Sequence, residues 1–231
     1  MQLPAMKWKT FVVAYAFAIA LLLFAQRRPQ PTQPGGFTGV VDLTRRTGAN
    51  AQLAQHGATH IDAPAGYAKD LWAVDQIPPE RLLGPLVVID VSRRVRSNSD
   101  YQIGVNDIAD WEQTHGQIPQ GAIVLARTAS DASVCSFNKA EATLCPGYSS
   151  EAARFLAEGR NIFGLGIDSQ NIGVAQEVDS VGQFTLRRSV YQIENVANLH
   201  KVPPTGAWVE VIPTKLKGGR GAPARVVALL K

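Results

Sequence analysis

Three side chains able to bind a metal or move a proton fall within one short stretch: His56, His60 and Asp62 in His56-Gly57-Ala58-Thr59-His60-Ile61-Asp62-Ala63-Pro64. All three occupy even positions, so on an extended strand they point to one face. Ala58 shares that face and leaves room between the imidazoles. Pro64 has no N–H and ends the pairing. Two imidazole nitrogens and one hard carboxylate oxygen suit a first-row divalent ion such as Zn, Mn or Fe. The same residues also describe two surface histidines beside a turn aspartate, and spacing alone leaves both readings open.

The elements that must carry these residues are legible from hydrophobic patterning. Gly39 to Thr44 reads as a short strand. Leu86 to Val91, Ala122 to Ala126 and Ile162 to Ile167 are continuous apolar runs, the pattern of strands buried on both faces. Asp168 closes the third of them. Val190 to Ile193, Trp208 to Ile212 and Val226 to Leu230 supply further strands. Asn106 to His115 reads as a helix, with Ile108 and Trp111 on one face and Gly116 ending it. A second helix runs to Ala157, capped by Ser149 or Ser150 and closed by Gly159. Strands alternating with helices predict an α/β domain with a mostly buried sheet.

Composition narrows the function classes. The chain has 231 residues and a net charge of +4. Lys7, Lys9, Arg27 and Arg28 lie in the first 28 residues, where no acid occurs; without them 19 basic residues face 19 acidic ones. The basicity therefore belongs to the N-terminus, and a phosphate-binding surface on the folded domain is not expected. Thr10 to Ala25 carries no charge, Pro or Gly, between Lys9 and Arg27. That run reads as a signal peptide or a single transmembrane anchor, with a buried helix as the other reading. Residues 1–28 are thus expected to be a leader or anchor, 29–38 a Pro/Gly linker and 39–231 the domain, placed outside the cytoplasm by export or by anchoring to a membrane. Cys135 and Cys145, ten positions apart, fit a disulfide in such a compartment or two unrelated thiols; their spacing is not that of a metal site.

Taken together, several motifs resemble the cyclase/kynurenine formamidase (arylformamidase) family of metal-dependent amide hydrolases. Its signature His-x-Gly-Thr-His-x-Asp-x-Pro-x-His is matched at His56, Thr59, His60, Asp62 and Pro64. In the family's order follow Asp42-Leu43-Thr44, Asp75-Gln76-Ile77-Pro78, Gly84 to Ser92, Gly166-Ile167-Asp168-Ser169, Ile193-Glu194-Asn195 through Leu199, and Gly218 to Arg225. The likeness covers about residues 39 to 230. It implies a swivelling β/β/α fold around a mixed sheet. It also implies a divalent metal, Zn or Mn, held by His56, His60, Asp62 and Glu194. The ion would lower the pKa of bound water and polarise an amide carbonyl, while a nearby His moves the proton. The substrate implied is a small amide, by default an aryl formamide of the N-formylkynurenine type. Dimers are frequent in the family, so a homodimer is a candidate assembly.

Three departures qualify the resemblance. The last His of the signature falls at Gly66. The later metal-site His falls at Gly182-Gln183, where the Gln183 amide oxygen is the remaining candidate ligand. The segment from Asp42 to His56 is shorter than the family's. Tyr67 and Asp168 are the nearest candidates to take over catalysis from the missing His, whereas His115 and His200 read as solvated. The competing function is a degenerate, non-catalytic binding or scaffold domain at the membrane surface.

Overall fold

The computed structural model describes residues 36–46, 58–129, 145–174 and 178–231. All of them belong to the compact unit Gly36–Lys231. In chain order the strands are β1 (Gly39–Asp42), β2 (His60–Asp62), β3 (Leu83–Asp90), β4 (Gln102–Ile103), β5 (Ile123–Arg127), β6 (Gly147–Tyr148), β7 (Gly164–Ile167), β8 (Tyr191–Glu194), β9 (Trp208–Pro213) and β10 (Gly221–Leu230). The helices are α1 (Ser92–Ser97), α2 (Val105–His115), α3 (Ser150–Arg154, continued by a wide turn over Phe155–Gly159) and α4 (Val178–Thr185).

Eight strands form one mixed sheet in the order β1-β10-β2-β8-β7-β5-β3-β9, and β9 pairs again with β10, closing it into a barrel. Strands β3, β5, β7 and β8 are parallel neighbours, while β2 joins β8 antiparallel. Their apolar runs are continuous because both faces are buried. Val87 and Ile89 of β3, with Val124 of β5 and Ile167 of β7, pack beneath Ile108, Trp111 and Leu156 of the helical layer. Leu86, Val88, Leu125 and Ile193 point the other way, into a barrel core shared with Ile61, Val209 and Val226. Truncating Leu125, which is fully buried, to Ala costs about 2–5 kcal/mol. Gly166 lets β7 lie flat between its neighbours: a Cβ there would stand 2.5 Å from Leu125 Cδ2 and 3.0 Å from the Ile193 carbonyl.

The α/β architecture and mixed, buried sheet match expectation. Ser149 is the cap of α3, accepting from the Ala152 N–H at 3.0 Å. β10 starts five residues before the expected Val226, because Gly221 to Pro223 pair with β2. α1 and α4 were not anticipated; neither carries a long apolar stripe in sequence.

The expectation of an exported or membrane-anchored protein is corrected. Among the described residues no helix is long and apolar enough to cross a membrane. The longest α-helix described, α2, has 11 residues, about 16 Å of rise against roughly 30 Å of hydrocarbon. Nothing in the structure shows export or anchoring, and residues 10–25 lie outside the described residues. Cys145 is disulfide-bonded; its expected partner, Cys135, lies outside them too.

Candidate metal centre

β2 is three residues long, yet it sits in the middle of the barrel, between β10 and β8. Its register with β8 sets His60 opposite Glu194 and Asp62 opposite Gln192. Directly opposed residues share a face, and alternation keeps His60 with Asp62 and Gln192 with Glu194 on it. Two ties fix the strand ends. Thr59 Oγ1 donates to the Asn195 carbonyl at 2.6 Å. The Ala63 N–H donates to the Arg220 carbonyl at 2.7 Å. Asn195 adopts φ +57°, a left-handed turn that Asn tolerates well, so the chain leaves the sheet immediately after Glu194.

His60, Asp62 and Glu194 each bring one ligand atom into a group whose members all lie within 4.8 Å of one another. His60 Nε2 stands 3.3 Å from Glu194 Oε2 and 3.8 Å from Asp62 Oδ2. His60 and Glu194 are buried and Asp62 is partly exposed, so the group is open on one side. The imidazole is aimed by the Ala58 carbonyl, which accepts from Nδ1 at 2.9 Å; that tautomer, assigned from the contact, turns the Nε2 lone pair toward the carboxylates. Glu194 is aimed as well: its Oε1 accepts from the Ile172 N–H at 2.9 Å. Burial opposes a charge on His60. The Glu194 hydrogen bond, the Ala58 carbonyl and the charges of Asp62 and Glu194 outweigh it, and the pKa stands above its ordinary 6.5.

This arrangement fits a divalent cation. A neutral His60 turns a nitrogen lone pair toward the Glu194 and Asp62 carboxylates at 3.3 and 3.8 Å, an arrangement that a proton on His60 or a cation stabilises. Nitrogen-plus-oxygen ligation suits Zn or Mn, and carbonyl or N–H groups behind the ligands are the usual outer support of such sites.

The other expected residues are placed differently. His56 lies outside the described residues. Gln183 is exposed on α4, and the buried position beside it is Gly182. Gly66 is exposed at the end of the turn Pro64–Gly66; a Cβ there would meet the Arg220 carbonyl at 3.6 Å and Leu186 Cδ1 at 4.0 Å. A Cβ on Gly182 would meet that same Leu186 Cδ1 at 4.0 Å. Tyr67 is 43% exposed, with no hydrogen bond from its hydroxyl to the described residues. Asp168 is buried, and its carboxylate is occupied by the Thr128 N–H and hydroxyl and the Ala129 N–H, at 2.5 to 3.1 Å. Burial raises its pKa above the ordinary 3.8 against those donors. Its geometry is that of a loop anchor. His115 is exposed and packs on Trp111, ring centres 4.9 Å apart, and His200 is exposed.

Sequence reading did not single out Gln192, which lies on the same face as His60, Asp62 and Glu194 and donates from Nε2 to Thr185 Oγ1 at 2.8 Å. Its spacing of two from Glu194 was the available signal.

Comparison with known proteins bears on this group. The Cyclase family model matches residues 8–174. The isatin hydrolase of Roseibium aggregatum is 30% identical over 192 residues, 77% of this chain and 73% of that protein. The kynurenine formamidase of Salinibacter ruber is 26% identical over 178 residues, covering 76% of each. Among solved structures, isatin hydrolase A from Labrenzia aggregata, bound to benzyl benzoate, superposes with a TM-score of 0.77 at 30% identity, over 83% of this chain and 93% of that one. A potential metal-dependent hydrolase with cyclase activity gives 0.64 at 28%, over 84% and 98%.

Proposed function

The chain belongs to the Cyclase family, and from that premise we propose that it is a metal-dependent hydrolase of small amides, with aryl formamides of the N-formylkynurenine type as its substrates and cyclic amides such as isatin as the related class. The observation that supports this reading is the convergence of His60, Asp62 and Glu194 on one partly open point of the barrel. These three residues would hold Zn or Mn. When bound, the ion supplies Lewis acidity, lowering the pKa of water and polarising an amide carbonyl.

The chain's own residues do the positioning. The Ala58 carbonyl holds the His60 ring, and the Ile172 N–H holds the Glu194 carboxylate, which limits the reorganisation needed on loading. Ile61 and Ile193, which alternate with the ligands, are buried in the barrel core and hold β2 and β8 in register behind the site. In this reading Tyr67, exposed beside Gly66, would donate a hydrogen bond to a developing oxyanion rather than act as a base.

Metal content of the full chain, purified without chelator, tests this together with hydrolysis of an aryl formamide and of isatin. Stoichiometric Zn or Mn with metal-dependent turnover of either is expected. A chain that takes up neither ion overturns the reading. A second reading, a non-catalytic binding domain, is favoured by Gly66, which offers no proton carrier, and by Gly182, where a metal-site His is expected; bound metal without turnover of either amide selects it.

A further inference from the structure

Gln192 stands on β8 directly opposite Asp62 of β2 and two residues before Glu194, so it shares the face of His60, Asp62 and Glu194. It is 4% exposed. A buried amide has an amino end that donates and an oxygen end that accepts, and its partners decide which way it is turned.

Thr185 of α4 fixes that direction. The Thr185 hydroxyl donates its proton to the Val181 carbonyl at 2.8 Å, one helical turn back. Toward Gln192 it can therefore only accept, and the Gln192 Nε2 amino group donates to it at 2.8 Å. The other end of the amide, Oε1, is turned away from Thr185 and meets no donor among the described residues. Nor is it sealed in the core: the fully buried side-chain atoms without a partner are, among the described residues, Arg45 Nε and Arg81 Nε. On the β7 side Gln192 neighbours Leu165, which belongs to the apolar core under the helices. On the β2 side it neighbours Asp62, the partly exposed member of the group. An amide oxygen against Leu165 would lose its hydration with nothing in return. Toward Asp62 it joins a face on which an imidazole nitrogen and two carboxylates already present lone pairs. Carboxylates alone would favour the opposite turn, amino end toward them, and the Thr185–Val181 bond prevents it. A face of acceptors without a donor is what a cation completes.

We propose, on the reading of that group as a metal centre, that Gln192 Oε1 is a further ligand of the divalent ion, in place of the side chain that Gly182 lacks, and that Thr185 is the residue that aims it. Gly182 and Thr185 are three positions apart on α4 and share a face of the helix. The helix thus serves the metal through Thr185 instead of through position 182. A neutral amide oxygen is a hard donor of the kind Mn accepts, and it adds no charge to two carboxylates already close together.

Competition for Mn and for Zn against a chelating indicator dye, with the full chain stripped of metal beforehand, tests this. Gln192→Leu, similar in size and without an oxygen, should weaken both ions at least about tenfold. Its metal-free unfolding midpoint should be no lower than that of the wild type, because the substitution removes an acceptor that the metal-free fold leaves without a donor. Gln192→Glu, which keeps an oxygen, should bind both ions more tightly than Gln192→Leu. Thr185→Val, which leaves the amide free to turn, should weaken them by less than Gln192→Leu does. Metal affinity unchanged in Gln192→Leu would overturn the proposal. So would a lowered metal-free midpoint in that variant, which makes Gln192 a folding residue, or equal losses in Gln192→Glu and Gln192→Leu. A wild type that takes up neither ion overturns the metal-centre reading as well; uptake abolished by His60→Ala and untouched by Gln192→Leu overturns this proposal alone.

Discussion

The two halves of the expected active site have fared differently. The sheet half, His60 and Asp62 on β2 with Glu194 on β8, presents its donor atoms within one small volume, each imidazole or glutamate oriented from behind by a backbone group. The half built from the Pro64–Gly66 turn and α4 has Gly66 and Gly182 where the family's signature calls for histidine, and both face Leu186. Holding a metal and moving a proton are separable tasks: Gly66 removes the usual proton carrier, whereas the loss at Gly182-Gln183 falls on the expected metal set, of which His60, Asp62 and Glu194 remain together.

The largest expected effect tests the sheet half. His60→Ala should abolish stoichiometric metal binding, read by elemental analysis after gel filtration; a variant that retains a full equivalent of Zn or Mn would show that the group is not the metal centre. The helix-and-turn half is tested by Gly66→His. The Cβ contacts at this position, 3.6 and 4.0 Å, are ordinary ones, so a Cβ can be added without displacing backbone, and the position is exposed. A restored proton carrier should raise kcat/KM on an aryl formamide by about 10²-fold or more, only with metal present. An unchanged rate in the metal-loaded variant would mean that the glycine does not limit turnover.

A smaller effect is expected one step behind the ligands. Thr59→Val removes the hydroxyl that donates to the Asn195 carbonyl and accepts from the Arg45 N–H. It should cost about 1–3 kcal/mol of stability, through the buried partners it strands. Metal affinity should fall by roughly tenfold, because the hydroxyl ties the ends of both ligand-bearing strands. Denaturant titration and metal competition measure the two; loss of stability with metal affinity untouched would confine Thr59 to folding.

The mildest effect is on pH. The His60 pKa is raised in the metal-free fold, so the charged imidazole stabilises that fold. This contribution is fully present below pH 6.5 and is lost as pH rises through the raised folded value. Metal requires the neutral ring, so metal affinity should move the opposite way and weaken as pH falls through that same value. Unfolding midpoints of the chelator-treated and metal-loaded protein across pH 5 to 9 should therefore diverge as pH increases. Parallel curves would separate His60 from the metal.

How much of this was readable beforehand follows the range of the forces involved. The buried parallel strands declared themselves through apolar runs, and α2 through Ile108 and Trp111, because these signals are written within a few residues. α4 did not: its outward Gln183 was the residue that looked like a ligand, and its inward Gly182 looked like nothing. Asp168, at a strand end, looked available for catalysis, and only the fold of the neighbouring Thr128-Ala129 turn shows that its oxygens are taken.

The sequence alone determined that His60 and Asp62 share a face, because strand alternation has a period of two and needs no partner. It did not determine that Glu194 stands directly across from His60. That register joins residues 134 positions apart, and it is fixed by closure of the barrel and by the packing of Ile61 and Ile193 in the core beneath. Nor could it show that the Arg45 guanidinium would be held at the Asp168 carbonyl with its Nε lacking an acceptor among the described residues, since burial of one nitrogen depends on every chain segment around it.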